Sequence, residues 1–306
     1  MKYKGDGDFS GYRDLKSDLE FYSDYDTADF YIYSEKNPGD RFLDIELAEA
    51  GTIFAGKADN VTIDNLWITH TGCHGMGSAG GSKNRRVTNC VFSWLGGSIL
   101  SINFRGSGKP VRFGNAVEIY GGCDGYEVSN CWMYQIYDTA VTHQFSGGPT
   151  ECHQHNVVYK DNLMEFCFWF IEYYNGDCQG HPQSVKNVYM ANNFCRFGGY
   201  GWGCKGRESS TPMYCGSRMC DDVENYIAEN NIFYQSLGFL VVLANCEGHK
   251  KEILRNNVYV NPKGEKFARM YDKVYLFDGT EKEILKTVAN EENPTVVYMP
   301  RPGYDF

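Results

Sequence analysis

Apolar positions in this chain come in short runs of four to seven, alternating with polar ones or broken by Gly and Asn. Runs of that length, rich in β-branched and aromatic residues, predict strands rather than helices. One phrase recurs: VTIDNLWI (61–68), RVTNCVFS (86–93), EVSNCWMY (127–134), VYKDNLME (158–165), YMANNFCR (189–196), IAENNIFY (227–234) and ILRNNVYV (253–260). In each, a short strand runs into an Asn and a second apolar strand begins at once. The residues are Asn65, Asn89, Asn130, Asn162, Asn193, Asn231 and Asn257, at intervals of 24, 41, 32, 31, 38 and 26. Irregular steps above a minimum near 24 describe a fixed unit carrying loops of variable length.

A coil of three short strands needs roughly 22 to 25 residues, and stacking such coils in parallel pairs every strand with its equivalent about 4.8 Å away. Asn at a tight bend accepts the left-handed conformation, and its amide can bond to the Asn above and below. The expected fold is therefore all-β: a parallel β-helix of about seven coils with an Asn ladder. This pattern resembles the right-handed parallel β-helix of the pectin-lyase-like superfamily over roughly residues 50 to 262, and the stretch 114–145 resembles bacterial β-helix proteins of glycan-utilising organisms. The expected division is an N-terminal cap or remnant at 1–50, the helix at 51–262 and a C-terminal cap at 263–306. The first segment contains FYIYS and a Pro-Gly turn at 38–39, and the last contains YDKVYLF and EKEILKTV.

With 306 residues, 42% of them apolar, the chain has ample material for a large core. Its net charge of −10 is the wrong sign for a protein that neutralises phosphates, so nucleic acid is not an expected partner. No run reaches the roughly 18 apolar residues of a membrane span, and the first twenty residues carry no export signal, which favours a soluble cytoplasmic setting. The twelve Cys stand singly inside strand-like segments, as reduced core residues do. Cys204, Cys215 and Cys220 come nearest to a zinc pattern, without a paired CxxC.

In the resembled superfamily, sites lie on the outer face of the first sheet. Reading each coil from its Asn gives first-sheet candidates TIFAG (52–56), AVEIY (116–120), TAVTHQ (139–144), WFIEYY (169–174), YGWGCK (200–205) and FLVVLA (239–244). Alternation puts Glu118, Tyr120, Thr142, Gln144, Glu172 and Tyr174 outside. Glu118 and Glu172 fall two coils apart, near 10 Å between backbones, with Asp138 at the intervening strand. Glu118, Asp138 and Glu172 are the expected catalytic carboxyls. His143 has inward parity, and a bulge at 142–143 would turn it outward as an acid/base. His153, His155 and His181 fall in expected loops at 145–156 and 175–184, which with 103–113 and 205–222 would border the groove.

Sugar sites stack rings on aromatic faces, and Tyr120, Tyr173, Tyr174 and Trp202, with Gln144 and Lys205, are the expected substrate contacts. A lyase or uronate epimerase also needs cations or Ca²⁺ to neutralise a substrate carboxylate. Lys205 and Arg207 are the cations nearest the face, Arg105 and Lys109 precede it, and Asp138, Glu172 and Asp177 are the acids available to Ca²⁺. The leading expectation is a glycoside hydrolase acting on a poly- or oligosaccharide with no cofactor. Lyase or epimerase is the alternative, with Ca²⁺ if a lyase, and a non-catalytic glycan-binding solenoid comes third.

Overall fold

The computed structural model describes residues 2–3, 11–24, 26–78, 80–103, 106–108, 110–204, 207, 211–301 and 303. They divide into two compact units, Met1–Glu49 with Ser98–Phe113, and Ala50–Gly97 with Gly114–Phe306. In the first unit Glu20–Ser23 pairs in parallel with Lys2–Tyr3 and antiparallel with Phe30–Ile32. Ser98–Ser101 and Val111–Phe113 form an antiparallel ribbon. Asp18 accepts two hydrogen bonds from the Arg41 guanidinium, at 2.6 and 2.8 Å.

The second unit is all-β apart from short helical turns and the helix Glu281–Val288. The chain visits three sheets in turn, and each strand pairs in parallel with its counterpart one circuit later, which fits a parallel β-solenoid. The first sheet has nine strands: Phe54–Gly56, Met76–Ser78, Val117–Tyr120, Thr139–Phe145, Trp169–Asn175, Tyr214–Arg218, Val241–Leu243, Lys266–Met270 and the antiparallel Lys273–Leu276. The second has seven, from Thr62–Asp64 to Glu252–Arg255, and the third eight, from Trp67–Thr69 to Thr295–Tyr298.

Like residues stack inside. Val117, Val141, Ile171, Tyr214, Val241 and Ala268 are in register along the first sheet, and Phe92, Met133, Met164, Cys195, Phe233 and Tyr259 along the third, all buried. Each large apolar side chain so buried contributes about 1.5–3 kcal/mol. All twelve Cys are free, and ten are buried.

The seven Asn of the repeat do not form one column. Pairing of Trp132 with Leu163 and of Val91 with Trp132 sets Asn65, Asn89 and Asn130 level with Asp161, Asn192, Asn230 and Asn256, and all seven have positive φ. The next residue along belongs to a second column, Leu66, Cys90, Cys131, Asn162, Asn193, Asn231 and Asn257, which is buried from Cys90 onward and exposed at Leu66. Only the last four are amides. The bend therefore separates two jobs, left-handed backbone at one residue and buried hydrogen bonding at the next. Asn193 makes four bonds: Nδ2 donates to Tyr159 O (2.9 Å) and Asn231 Oδ1 (2.9 Å), while Oδ1 accepts from Asn162 N (3.2 Å) and Asn162 Nδ2 (3.0 Å). Asn231 and Asn257 repeat the pattern, which ends on Glu291. A further amide series, Asn60, Asn84, Asn156, Asn187 and Asn225, lies on the outer side of the second sheet, five residues before each left-handed bend.

The first sheet differs from expectation in several strands, with Lys266–Met270 and Lys273–Leu276 added at its end. YGWGCK forms no strand: Trp202–Cys204 is a short 3₁₀ turn, and the strand of that coil is Tyr214–Arg218. Gly201 and Gly203 serve close approach, since a Cβ there would lie 1.8 Å from Phe166 O and 2.4 Å from Tyr137 O. Met76–Ser78 is an additional strand whose MGS sequence carries no β-branched residue.

Asn193→Ala should cost at least about 3 kcal/mol, because it leaves two buried donors of Asn162 unpaired. Asn130→Gly, which suits the left-handed bend, should stay within about 1 kcal/mol of the parent. Urea unfolding of the two variants checks both, and equal losses would contradict the two-column assignment.

Candidate active site on the first sheet

Parallel pairing places Gly77, Glu118, Thr142, Glu172 and Cys215 in one row, with Tyr120, Gln144 and Tyr174 in the next. Both rows point outward from a core lined by Val117, Ile119 and Val141. Glu118 and Glu172 are thus two strands apart, about 10 Å between backbones.

A hydrogen-bonded chain joins the two carboxyls. Asn115 Nδ2 donates to Glu118 Oε2 (2.6 Å), Asn115 Oδ1 accepts from Thr139 N (2.9 Å), and Thr139 Oγ1 donates to Glu172 Oε2 (3.0 Å). Gln144 Nε2 also donates to that oxygen, at 3.1 Å. Thr142, between the two acids in register, has a buried hydroxyl with no hydrogen-bond partner among the described residues. Burial pushes Glu118 up to about 7, with the Asp138 charge adding to the rise and the Asn115 bond opposing it. Glu172 is driven well above the usual carboxylate range by burial and by the charges of Asp138 and Glu118.

His74 stands on the other side of Glu118. Its Nδ1 accepts from Asn115 N (3.0 Å), which leaves the proton on Nε2, 3.5 Å from Glu118 Oε1. Burial lowers His74 to about 4, so the ring is neutral near pH 7. Asp138 is paired with Arg207, whose NH2 lies 3.2 Å from Oδ1 and whose NH1 donates to Tyr137 O at 2.7 Å. The guanidinium packs over Phe168, 3.5 Å from the ring centre, and over Tyr137 at 4.7 Å. Burial raises Asp138 and the Arg207 charge pulls it back toward the ionised form.

The row continues into a cavity of about 320 Å³ lined by Trp169, Pro212, Cys215, Ser217, Val242 and Arg269, among others. Cys215, Val242 and Arg269 are successive members of the Glu172 row. Acids therefore occupy the middle of the face and Arg269 its far end.

Of the expected site residues, the structure brings Glu118, Asp138, Glu172, Tyr120, Gln144 and Tyr174 together. Trp202 sits over the neighbouring turn, its Nε1 donating to Gln135 O (2.7 Å) and its ring 5.1 Å from Tyr137. Lys205 lies outside the described residues. His143 and Tyr173 are not on this face. No bulge interrupts the pairing at 142–143, so both keep inward parity and are fully buried. His143 bonds Tyr226 OH (3.1 Å) and Tyr159 OH (3.4 Å), and burial lowers it to about 3. The Tyr173 hydroxyl bonds His249 and Glu252 in the interior, and its ring stacks on His143 with centroids 5.6 Å apart.

The CHQH segment is part of the strand Cys152–Lys160, where His153 Nδ1 and His155 Nε2 both bond Ser184 Oγ, at 2.7 and 2.8 Å. Among the described residues no three His, Cys, Asp or Glu side chains converge as a bound metal ion requires. Sequence reasoning missed His74, Asn115, Thr139 and Arg269. The first two lie next to Gly-rich turns, and a signal for Asn115 was available in its position three residues before Glu118.

Glu118 should make the fold less stable as pH rises. Its folded-state value of about 7 exceeds its ordinary 4.5, so its contribution is full below about pH 4.5 and is lost by about pH 7. Glu118→Gln should therefore gain on the parent by up to about 3 kcal/mol between these limits. Urea midpoints across that range test it, and parallel curves for the two proteins would contradict a desolvated carboxyl. No protein-family model, curated protein or solved structure matches the chain, so the functional reading rests on this geometry.

Proposed function

We propose that this chain is a carbohydrate-active enzyme built on a right-handed parallel β-helix of about seven coils, of the pectin-lyase-like kind, and that it hydrolyses glycosidic bonds over the outer face of the first sheet. The observation that carries the reading is the chain Glu118, Asn115, Thr139, Glu172, with Asp138 held by Arg207 beside it. Glycoside hydrolysis needs one carboxyl that keeps a proton near neutrality and another that does not. Desolvation supplies the first at Glu118; at Asp138 burial also raises the carboxyl, and the Arg207 guanidinium opposes that rise.

In this reading Glu118 gives its proton to the leaving glycosidic oxygen. Asp138 activates the incoming water or attacks the anomeric carbon. Glu172, gripped by Thr139 and Gln144, orients Thr139 and through Asn115 the acid itself. His74, a neutral donor, positions Glu118 from the other side. Tyr120, Tyr174 and Trp169 are the rings available for stacking. A second reading, eliminative cleavage or epimerisation of a uronate-bearing glycan, draws support from Arg207 and Arg269 on the same face, either of which can pair with a carboxylate.

Digestion of a glycan library, read by mass spectrometry, separates the readings. A product heavier by one water means hydrolysis, an unsaturated product means a lyase, an unchanged mass with altered stereochemistry means an epimerase, and binding without turnover means a glycan-binding module. On the substrate so found, Glu118→Gln and Asp138→Asn should each lower kcat by about 10²–10⁴. The rate should fall as pH rises through about 7, where Glu118 loses its proton. Near-parental turnover in both variants would remove the proposed site.

A further inference from the structure

The outer face of the third sheet carries a row that the first-sheet site does not use. Trp67, Val91, Trp132, Leu163, Phe194 and Ile232 are in register on successive strands. An aromatic ring stands on every second strand, so the rings recur about every 10 Å along the solenoid. Trp67 is 67% exposed and Trp132 41%.

Both indoles are fixed in the same way. Trp67 Nε1 donates to Ser93 Oγ and Trp132 Nε1 to Glu165 Oε1, each at 2.9 Å. In each case the acceptor is on the next strand, two residues beyond the paired position. Each ring is thereby tied across its neighbour. Phe194 is held by the edge of Tyr234, with centroids 6.1 Å apart, and by the Arg196 guanidinium 5.6 Å away. Rings fixed in advance lose little side-chain entropy when something stacks on them.

The stripe is one residue wide. On one side run Thr69, Ser93, Tyr134, Glu165, Arg196 and Tyr234, with Ser93 and Glu165 buried beneath the indoles they hold, and on the other lie the exposed Asn and Asp residues of the left-handed bend. A narrow apolar track between two polar ones, with rings at a fixed repeat, fits a linear polymer with hydroxyls at its edges better than the broad surface of a second protein.

We propose that this face is a second, non-catalytic binding platform for an extended glycan of equatorially 1→4-linked hexopyranoses. Each sugar in such a chain is turned over relative to its neighbour, so the same face recurs at every second sugar, an interval close to the ring repeat, and alternate sugars present an apolar face to Trp67, Trp132 and Phe194. Tyr134 and Arg196 on one side, half-buried, and the exposed Asn and Asp residues of the bend on the other supply donors and acceptors for hydroxyls.

Calorimetric titration with cellohexaose, mannohexaose and chitohexaose tests the proposal, with the coiled α-linked maltohexaose as the control. At least one equatorially linked hexaose should bind saturably, with its disaccharide and maltohexaose much weaker. Trp132→Ala should weaken binding by about tenfold and Trp132→Phe should retain most of it. Circular dichroism verifies folding. Glu118→Gln, Asp138→Asn and Glu172→Gln should leave this affinity unchanged, which keeps the outcome separate from that of the first-sheet reading. The proposal is overturned if no such hexaose binds, if Trp132→Ala binds as well as the parent, or if affinity falls with the first-sheet carboxyls instead. It is overturned too if sedimentation shows that Trp67→Ala and Trp132→Ala dissociate a dimer, which would make the face an interface between copies.

Discussion

A side-chain amide sealed inside a protein must satisfy two donors and two acceptor positions at once. At Asn162, Asn193 and Asn231 the partners that do so come from the coils on either side, so no coil can shift by one residue without orphaning them. A one-residue slip would also exchange the inner and outer faces of every strand. Register along the stack, and with it the alignment of Glu118, Thr142 and Glu172 across three coils, depends on these bonds. The catalytic candidates themselves bear little of that load.

The same constraint explains why the interior tolerates polar groups. His143, Tyr159 and Tyr226 form one buried hydrogen-bonded group and Tyr173, His249, Glu252 and Tyr214 a second, each hydroxyl finding a ring nitrogen or a carboxylate, and the two meet where the His143 and Tyr173 rings stack. In a solenoid each inward residue faces its equivalents above and below, so a polar side chain has neighbours at fixed distance on which to spend its bonds. Outside, the first sheet uses the same spacing differently. Burial raises its acids, Asp138 and Glu118 add to the rise at Glu172, and the Arg207 guanidinium opposes the rise that burial imposes on Asp138.

The all-β class and the stacking of coils were legible because the repeat is carried by residues with strong local reasons to be there. Asn takes the left-handed bend, and alternating Val, Ile and Tyr form the strands. The two adjacent columns were not legible, since NN in three coils and NC in two make either residue of the pair a plausible ladder member, and only cross-strand pairing assigns them. YGWGCK misled for a related reason: its aromatics imitate a strand, whereas its glycines answer the need of the backbone to pass within van der Waals distance of Phe166 and Tyr137. Parity arguments did best where strands are regular, as at Glu118, Gln144 and Glu172. They also gave His143 its inward side, and the proposed bulge that would have reversed it has no counterpart in the pairing. His74 escaped because its strand is MGS, with one apolar residue.

The corner between the second and third sheets is always two residues long, from Asn65–Leu66 to Asn256–Asn257, so all variation in coil length falls at the other two corners. Segments such as 146–151 and 176–182 border the first sheet and can lengthen, shorten or change sequence without touching the amide column. The molecule thus keeps its gauge at one edge and its freedom at another. Descendants of this chain can change the borders of that face while inheriting an unaltered scaffold.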